Sequence, residues 1–350
     1  MGYSSQAGHV GIRTQAAKGT YATPAQATAG TPDATDGVFL YTRGGSIGGN
    51  RDLLIPDAEI GGNRDIPDAQ LGPIAYSGEY DFYARLEELP TLLKAALGSG
   101  ATTGPTSTTA YTHTVTPTDA ALPWLSVEER IGSGYRVFKY TDAMVNTLHL
   151  EAAADGYLMG TAGLIALTQE DFGDTTGTPL ANRDYDSTPL IVGSNVCVQW
   201  DGVDLPAKSF SIDINNNIED DDFRLCSLTL GDLVPKRREV TMSVTIRPQD
   251  ATLWKTAMWG SPSATGPLGQ SYKNDVNIVV TSYEDIPGST GPAVKYGMTI
   301  PIPTAIIAPF NVSPSGDDVI EHDIEIRPVR PLPATPILTA VIKNGLSTIR

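Results

Sequence analysis

Hydrophobic and polar residues alternate along three stretches of the chain, the pattern of β-strands with one buried and one exposed face. The stretches are EYDFYARL (79–86), VTMSVTIR (240–247) and VIEHDIEIR (319–327). The predicted buried faces consist of Tyr80, Phe82 and Ala84, of Met242, Val244 and Ile246, and of Ile320, His322, Ile324 and Ile326. The predicted outward faces consist of Glu79, Asp81 and Tyr83, of Thr241, Ser243 and Thr245, and of Glu321, Asp323 and Glu325. One face of the sheet is therefore expected to be polar and in places acidic.

Two short segments show helical spacing instead. TLLKAAL (91–97) follows Pro90 and precedes Gly98, which are start and stop signals for a helix. TLWKTAM (252–258) follows the second alternating strand in the same way. We expect both helices to bury one apolar face: Leu92, Leu93, Ala96 and Leu97 in the first, and Leu253, Trp254, Ala257 and Met258 in the second.

These two helix segments match at an offset of 161 residues, and weaker matches follow in the same order along the chain. The matches predict two tandem copies of one mostly-β unit, each with one short helix. Stretches rich in Gly, Thr, Pro and Asp set the boundaries. The predicted segments are an N-terminal arm (1–35), a first unit (36–170), a linker (171–189), a second unit (190–331) and a C-terminal arm (332–350).

The charge narrows the function classes. The formal net charge is −16, from 24 basic and 40 acidic side chains. A protein this acidic lacks the basic patch that grips phosphates, so repulsion of nucleic acid is the more natural relationship. The start of the chain has no secretory signal, and no apolar run is long enough to span a membrane. We expect no membrane association.

Candidate chemistry is sparse. The four histidines are scattered, and no GxSxG, P-loop, HExxH or CxxC motif occurs. We therefore expect no enzyme activity, metal or cofactor. Residues 213–224 begin like a calcium loop but lack its turn glycine and bidentate Glu, so a solvated acidic loop is the favoured interpretation. Cys197 and Cys226 lie in segments whose sequences are typical of β-strands, and they are predicted to be buried free thiols.

One repeated phrase has no catalytic reading: IGGNRD occurs twice within residues 47–69, each time followed by IPDA. The segments around it, GVFLYTRGGSIGGNRD, GEYDFYARLEELPTLLKAALG and YRVFKYTDAMVNTLHLEAA, resemble the first half of a bacteriophage tail tube protein (major tail protein). The segments WDGVDLPAKSFSIDINNN and LVPKRREVTMSVTIRPQDATLWKTAMWG resemble the matching half of the same duplicated family. The resemblance covers roughly residues 36 to 331.

The resemblance implies a fold and a function. Its fold would be two β-sandwich or barrel units per chain, so that three chains form a pseudo-hexameric ring. Stacked rings would form the helical tube of a virion tail, assembled in the host cytoplasm, through which phage DNA is ejected without specific binding. The implied partners are the chain itself, a tape measure protein, a tail terminator and distal tail or baseplate proteins.

The resemblance also implies roles for particular residues. The long loop ahead of the first inner strand contacts the adjacent ring in this family, which makes Arg51, Asp52, Arg64 and Asp65 candidates for ring stacking. Alternatively, the polar groups of these four residues would bond to one another within the loop. A largely acidic lumen is expected, lined by Glu79, Asp81, Thr241, Ser243, Glu321, Asp323 and Glu325.

Two other interpretations stay open. In the first, the chain is another virion β-protein, such as a decoration or sheath-like component. In the second, it is an acidic two-domain β-sandwich that acts as a binding module or secreted hydrolase. The sequence leaves the number of chains per ring and the choice between contractile and non-contractile tails undecided, although the non-contractile tail is favoured.

Overall fold

The structure, a computed structural model, describes residues 5–25, 36–57, 60, 65–66, 68–107, 109–132, 136–173, 178, 182–289, 293–312, 320–331 and 335–350. The predicted mostly-β architecture is confirmed over these residues. Two α-helices occur among them, α1 (Leu89–Leu97) and α2 (Thr252–Trp259), with short 3₁₀ turns at Ser5–Ala7 and Gly193–Asn195.

The strands divide between the two halves of the chain. In the first half they are β1 (His9–Thr14), β2 (Val38–Leu40), β3 (Thr42–Leu54), β4 (Gln70–Tyr83), β5 (Gly98–Ser107), β6 (Ala110–Pro117), β7 (Leu125–Ile131), β8 (Arg136–Ala153) and β9 (Met159–Gly173). In the second half they are β10 (Val196–Trp200), β11 (Val203–Asp204), β12 (Ala207–Asn215), β13 (Glu239–Ile246), β14 (Asn274–Asp285), β15 (Lys295–Ile307), β16 (His322–Pro328) and β17 (Ala340–Asn344).

One antiparallel sheet runs through both halves. Its first part has the order β3-β4-β9-β8, and its second part has the order β12-β13-β16-β15. The two parts meet where residues 147–153 of β8 pair with residues 209–215 of β12. We call these eight strands the joined sheet. The contact between the halves is therefore a set of main-chain hydrogen bonds as well as packed side chains.

A buried amide reinforces this contact. Asn216 is 1% exposed, and its Nδ2 donates to the carbonyl oxygens of Ala96 (3.0 Å) and Val145 (2.9 Å) in the first half. Its Oδ1 accepts from Nε of Arg238 at 3.0 Å, and Arg238 in turn donates to the carbonyl oxygen of Leu97. Asn216 thus satisfies buried polar groups on both sides of the contact.

Most of the remaining strands contribute buried side chains to the same core as the joined sheet. β1 pairs with β2 and β7, and β17 pairs with both β6 and β15. The predicted arms (1–35 and 332–350) therefore each contain a strand of the fold. These strands bury Val10, Ile12, Ala340 and Ile342. Short sequence windows do not reveal this burial. The segment boundaries otherwise remain predictions.

The predicted core positions are mostly correct. Tyr80, Phe82 and Ala84 are buried, as are Met242, Val244, Ile246, His322, Ile324 and Ile326. Ile320 is 47% exposed, because β16 begins only at His322. The prediction for Ile320 was wrong.

The two helices differ in burial. The predicted face of α1 is buried beneath β5 and β6, and Gly98 ends the helix in a left-handed conformation (φ 101°) that favours glycine. Pro90 is the second helical residue rather than the first. In α2, Leu253, Trp254 and Ala257 are half-buried and Met258 is 38% exposed. The prediction of a buried Met258 was wrong, because α2 packs mainly on β15 without two covering strands.

The predicted burial of the two cysteines was also wrong. Cys197 and Cys226 are both exposed. Cys197 lies on the outward side of β10 beside the buried Val198, and Cys226 lies in an irregular segment with φ of 65°.

The predicted polar loop at residues 47–69 begins later than expected. Its first copy of IGGNRD lies within β3, which forms a long hairpin with β4. The hairpin is held at Ile47: its N–H donates to Oε2 of Glu129 (3.3 Å), and its carbonyl oxygen accepts from the hydroxyl of Tyr140 (2.6 Å). The hydroxyl of Tyr80 also donates to Glu129, at 3.0 Å. Burial raises the pKa of Glu129 to about 7, although these hydrogen bonds oppose the shift.

We predict that Asn216→Ala weakens the contact between the halves. The substitution removes two hydrogen bonds to buried carbonyl oxygens and one from Arg238, so we expect a loss of roughly 2–4 kcal/mol in the free energy of unfolding. Asn277→Ala is the control, since this half-buried amide bonds to Asp275 within its own strand. We expect the control to lose less than about 1 kcal/mol in urea unfolding. Equal losses would contradict a special role for Asn216.

We predict that Glu129 makes stability fall with rising pH. Because its pKa is higher in the folded chain than in the unfolded chain, its ionisation penalises folding between about pH 4.5 and about pH 7. Glu129→Gln should remove a penalty on the order of 3 kcal/mol at pH 8, taking roughly 1.4 kcal/mol per unit of pKa. The variant should differ little from wild type at pH 4. Glu170→Gln, an exposed site, is the control in urea unfolding at both pH values.

Candidate functional site

The polar face of the joined sheet brings together the residues predicted to be outward. Strand register places Asp81 opposite Thr161, Thr161 opposite His149, His149 opposite Asp213 and Asp213 opposite Thr241. Residues that are directly opposite in a sheet share a face. A continuous polar row therefore crosses from β4 in the first half to β13 in the second.

Further rows run beside it on the same face. One row contains Glu79, Gly163, Thr147, Asn215 and Glu239, and another contains Glu151, Ser211, Ser243 and Glu325. Thr245 lies opposite Asp323, and Glu321 directly precedes β16 at the edge of this face. The seven residues predicted to line a lumen thus lie on one surface, which we call the polar face.

Sequence reasoning missed part of this surface. β8 contributes His149 and Glu151, and β12 contributes Asp213. The signal was present, because NTLHLEAA and SFSIDIN alternate as the other strands do. The pairing of β8 with β12, which places these residues beside Asp81 and Thr241, has no signal in a short window.

Hydrogen bonds hold several carboxylates of the polar face. The hydroxyl of Thr161 donates to Oδ1 of Asp81 at 2.6 Å, and that of Thr245 donates to Oδ1 of Asp323 at 2.7 Å. Nδ1 of His149 lies 2.6 Å from Oδ1 of Asp213. These contacts fix the orientation of the carboxylates.

Basic residues neutralise one end of the face. Nζ of Lys208 and Nε of Arg247 bond to Oε1 of Glu321 at 2.6 and 3.0 Å, which lowers the pKa of this carboxyl. Nε of Arg327 bonds to Glu325 at 2.6 Å. Glu79 and Asp81 carry no ion pair of this kind among the described contacts, so the part of the face on β4 remains the more negative.

The described residues include no group of three or more His, Cys, Asp or Glu side chains placed to hold a metal ion. A concave region of about 490 Å³ on the polar face is open and lined by Ser77, Glu79, Thr147, Gly163 and Asp220. In the part of the chain that the structure covers, no helix is long and apolar enough to cross a membrane.

The predicted stacking residues lie at the far end of the β3–β4 hairpin. Arg51 and Asp52 are exposed, and Nε of Arg51 donates to the carbonyl oxygen of Gly72 at 2.6 Å. Asp65 is exposed, and Arg64 lies outside the described residues. The structure thus shows Arg51 bonded within the hairpin, while its contact with another copy stays a prediction.

Apolar side chains also crowd this end, which the sequence analysis did not predict. Leu53, Leu54, Ile55 and Leu71 are each at least half exposed, and we call them the hairpin tip. Beside the hairpin, the segment between β12 and β13 exposes Phe223, Leu225 and Leu228. The two segments touch, since the N–H of Ile74 donates to the carbonyl oxygen of Leu228 at 2.8 Å.

Comparison with known proteins identifies a protein family that matches the chain. A family model described as phage tail tube protein matches residues 5–327 of the chain. The match includes β1 and ends within β16, so it extends beyond the start of the resemblance seen in the sequence. No curated protein sequence matches the chain significantly.

Proposed function

Because the chain belongs to the phage tail tube protein family, a structural family of the virion tail, we propose that three copies form a ring and that rings stack into the tail tube. The tube would be the conduit for DNA ejection, with tape measure, tail terminator and distal tail or baseplate proteins as its partners. Assembly would take place in the host cytoplasm. The observation that carries the proposal is the pairing of β8 with β12.

The two halves show the same order of strand pairing, which supports the proposed duplication. β3-β4-β9-β8 in the first half corresponds to β12-β13-β16-β15 in the second. β8 pairs with β7 as far as Ala143 and with β12 from Thr147 onward. β15 pairs with β14 as far as Ala305, so residues 306–312 correspond to the part of β8 that pairs with β12.

We infer the contact between chains from this correspondence. β12 is paired on both sides, by β8 and β13, whereas β3 is paired with β4 along one side. Residues 306–312 of one chain would pair with the open side of β3 in the next, repeating the contact within the chain. Such a head-to-tail contact closes into a ring when its rotation divides a full turn, here with six units from three chains. Closure also removes the exposed strand edges.

The polar face would then line the lumen. Glu79, Asp81, Thr241, Ser243, Glu321, Asp323 and Glu325 would all face the passing DNA. Carboxylates that are fixed by hydrogen bonds repel phosphates, so the DNA would slide without adhering. The ion pairs of Glu321 and Glu325 would weaken this repulsion near those two residues.

Electron microscopy tests the proposal directly. We expect the purified chain, imaged in negative stain at rising concentration, to form hollow tubes with regular striations and end views containing three chains per ring. Uniform small particles at every concentration, with or without a preformed tail tip to initiate growth, would contradict it. They would favour the decoration protein or the binding module instead.

We predict that charge reversal on the polar face impairs DNA passage without preventing assembly. Glu79→Lys with Asp81→Lys should leave tubes intact, because both side chains point away from the core. The lysines should bind phosphate and lower infectivity about tenfold or more. Glu284→Lys with Asp285→Lys is the matched control, since these exposed residues lie on β14 and give the same change in net charge. Normal infectivity of the first variant would contradict a lumenal role.

A further inference from the structure

We propose that an apolar groove in the second half of the chain binds an extended segment of a different protein, in which a large apolar side chain is flanked by basic residues. The groove has a volume of about 250 Å³ and lies between β11 and the start of α2. Its apolar lining includes Trp200, Val203, Leu205, Pro248, Leu253 and Tyr272. Such binding would be a function additional to the one proposed above, and a single chain would suffice for it.

The first half of the chain contains the corresponding site. β1 pairs with β2 and β7, and β10 pairs with β11 and β14. The next strand in each half begins in the same way: Thr42 pairs with Phe82 and Ala207 pairs with Ile246, and the register shifts directly after both pairs. β2 and the start of α1 therefore correspond to β11 and the start of α2.

In the first half this site is filled by residues 184–188, which belong to the predicted linker. Tyr185 pairs in parallel with Phe39, and the N–H of Phe39 donates to the carbonyl oxygen of Asp184 at 3.3 Å. The ring of Tyr185 stacks on the ring of Tyr41, with 4.5 Å between the ring centroids. The occupant that this fold places at the site is therefore an extended segment with a central aromatic side chain.

The linker also supplies a carboxylate at the start of α1. Oδ2 of Asp186 accepts from the backbone N–H groups of Glu87 (2.8 Å) and Glu88 (3.1 Å). In the second half the chain provides this carboxylate itself, because Oδ1 of Asp250 accepts from the N–H of Thr252 at 2.8 Å. A segment that enters the groove therefore needs no acidic residue at this position.

β11 offers a main-chain edge beside the groove. The N–H of Leu205 donates to the carbonyl oxygen of Val198 in β10 at 2.8 Å, so the N–H of the preceding residue, Asp204, points to the other side of the strand. Phe39, which corresponds to Asp204, uses this direction to bond to the linker. Addition of an extended segment to such an edge is a common mode of peptide recognition.

The groove has room for the central side chain of such a segment. Val203 in β11 is 67% exposed, and Leu253 in α2 is half-buried. An apolar cavity of about 150 Å³ can hold benzene. The groove of about 250 Å³ can therefore hold one aromatic ring.

The charge of the groove indicates which residues flank that side chain. Asp201, Asp204 and Asp250 lie in its wall, and the described residues that line it include no Lys or Arg. Basic residues on either side of the central ring would pair with these carboxylates. The wall would repel Asp184 and Asp186 of a second copy's linker, and each copy carries a net charge of −16. A different, basic protein is therefore the occupant that fits.

The groove opens on the side of the joined sheet that is opposite the polar face. Ile246 lines the groove and is buried, whereas the adjacent Thr245 lies on the polar face. Successive side chains of a strand point to opposite faces. A protein bound in the groove would therefore stay outside the lumen that the polar face would line.

Isothermal titration calorimetry with synthetic peptides tests the groove. The probe has the sequence of residues 183–190 with Asp184→Lys and Asp186→Lys, so that basic residues flank Tyr185. The titration is made at about 0.15 M salt, which screens long-range attraction to the acidic chain. We expect one probe to bind per chain. Tyr185→Ala in the probe should weaken its binding about tenfold or more, because the groove then loses its aromatic occupant.

A variant of the protein tests the charge of the groove. Asp204→Lys should also weaken binding of the probe about tenfold or more, because like charges then meet. Asp204 is exposed, so the fold should persist. Glu284→Lys is the matched control, since Glu284 is an exposed residue of β14 outside the groove and gives the same change in net charge. The control should bind the probe as the wild type does.

Three results would overturn the proposal. The first is a probe that does not bind to chains whose fold has been verified by circular dichroism. The second is equal binding of a scrambled probe, or an equal loss in both lysine variants, since the contact would then be general charge attraction. The third is a probe that binds dispersed chains but not assembled tubes, since a second copy would then cover the groove. None of these results bears on whether tubes form, so the proposed function is tested separately.

Discussion

The pairing of β8 with β12 is the constraint on which the rest of the structure depends. It turns two halves, each with its own core residues, into one sheet whose polar residues share a face. Asn216 makes the arrangement specific, because an amide buried there is satisfied only when α1, β8 and Arg238 are in place. A hydrophobic contact of equal area would tolerate sliding, whereas a paired strand fixes the register. The register of β8 and β12 therefore fixes the position of one half relative to the other.

Much of the fold could be predicted from alternation alone. Tyr80, Met242 and Ile324 are buried because a strand that packs on one side must place every second residue inward. The failures occur where burial depends on a distant element. Met258 is exposed because no strand that the structure describes covers α2 as β5 and β6 cover α1. β1 and β17 were overlooked because β7 and β6, with which they pair, lie more than a hundred residues away in the chain.

The candidate site divides in the same way. Single strands showed which residues face outward, but only the register between β8 and β12 shows that Asp81, His149 and Asp213 form one row. The repeated phrase IGGNRD directed attention to Arg51 and Asp52, and the structure adds the apolar residues just beyond them. The exposure of Leu53, Leu54 and Leu71 cannot be inferred from the sequence, because a buried strand contains the same residue types.

The position of β17 has a consequence for the order of folding. His113 on β6 bonds to Asn344 on β17 at 2.7 Å, across 231 residues of sequence. Contacts between residues so far apart in sequence form late, because closing the long loop costs conformational entropy before the contact stabilises the chain. During synthesis β6 and β15 thus wait with open edges until β17 arrives, and β17 completes both halves at once. We expect nascent chains to be more prone to aggregation than the finished subunit, in which β17 pairs with both of these edges.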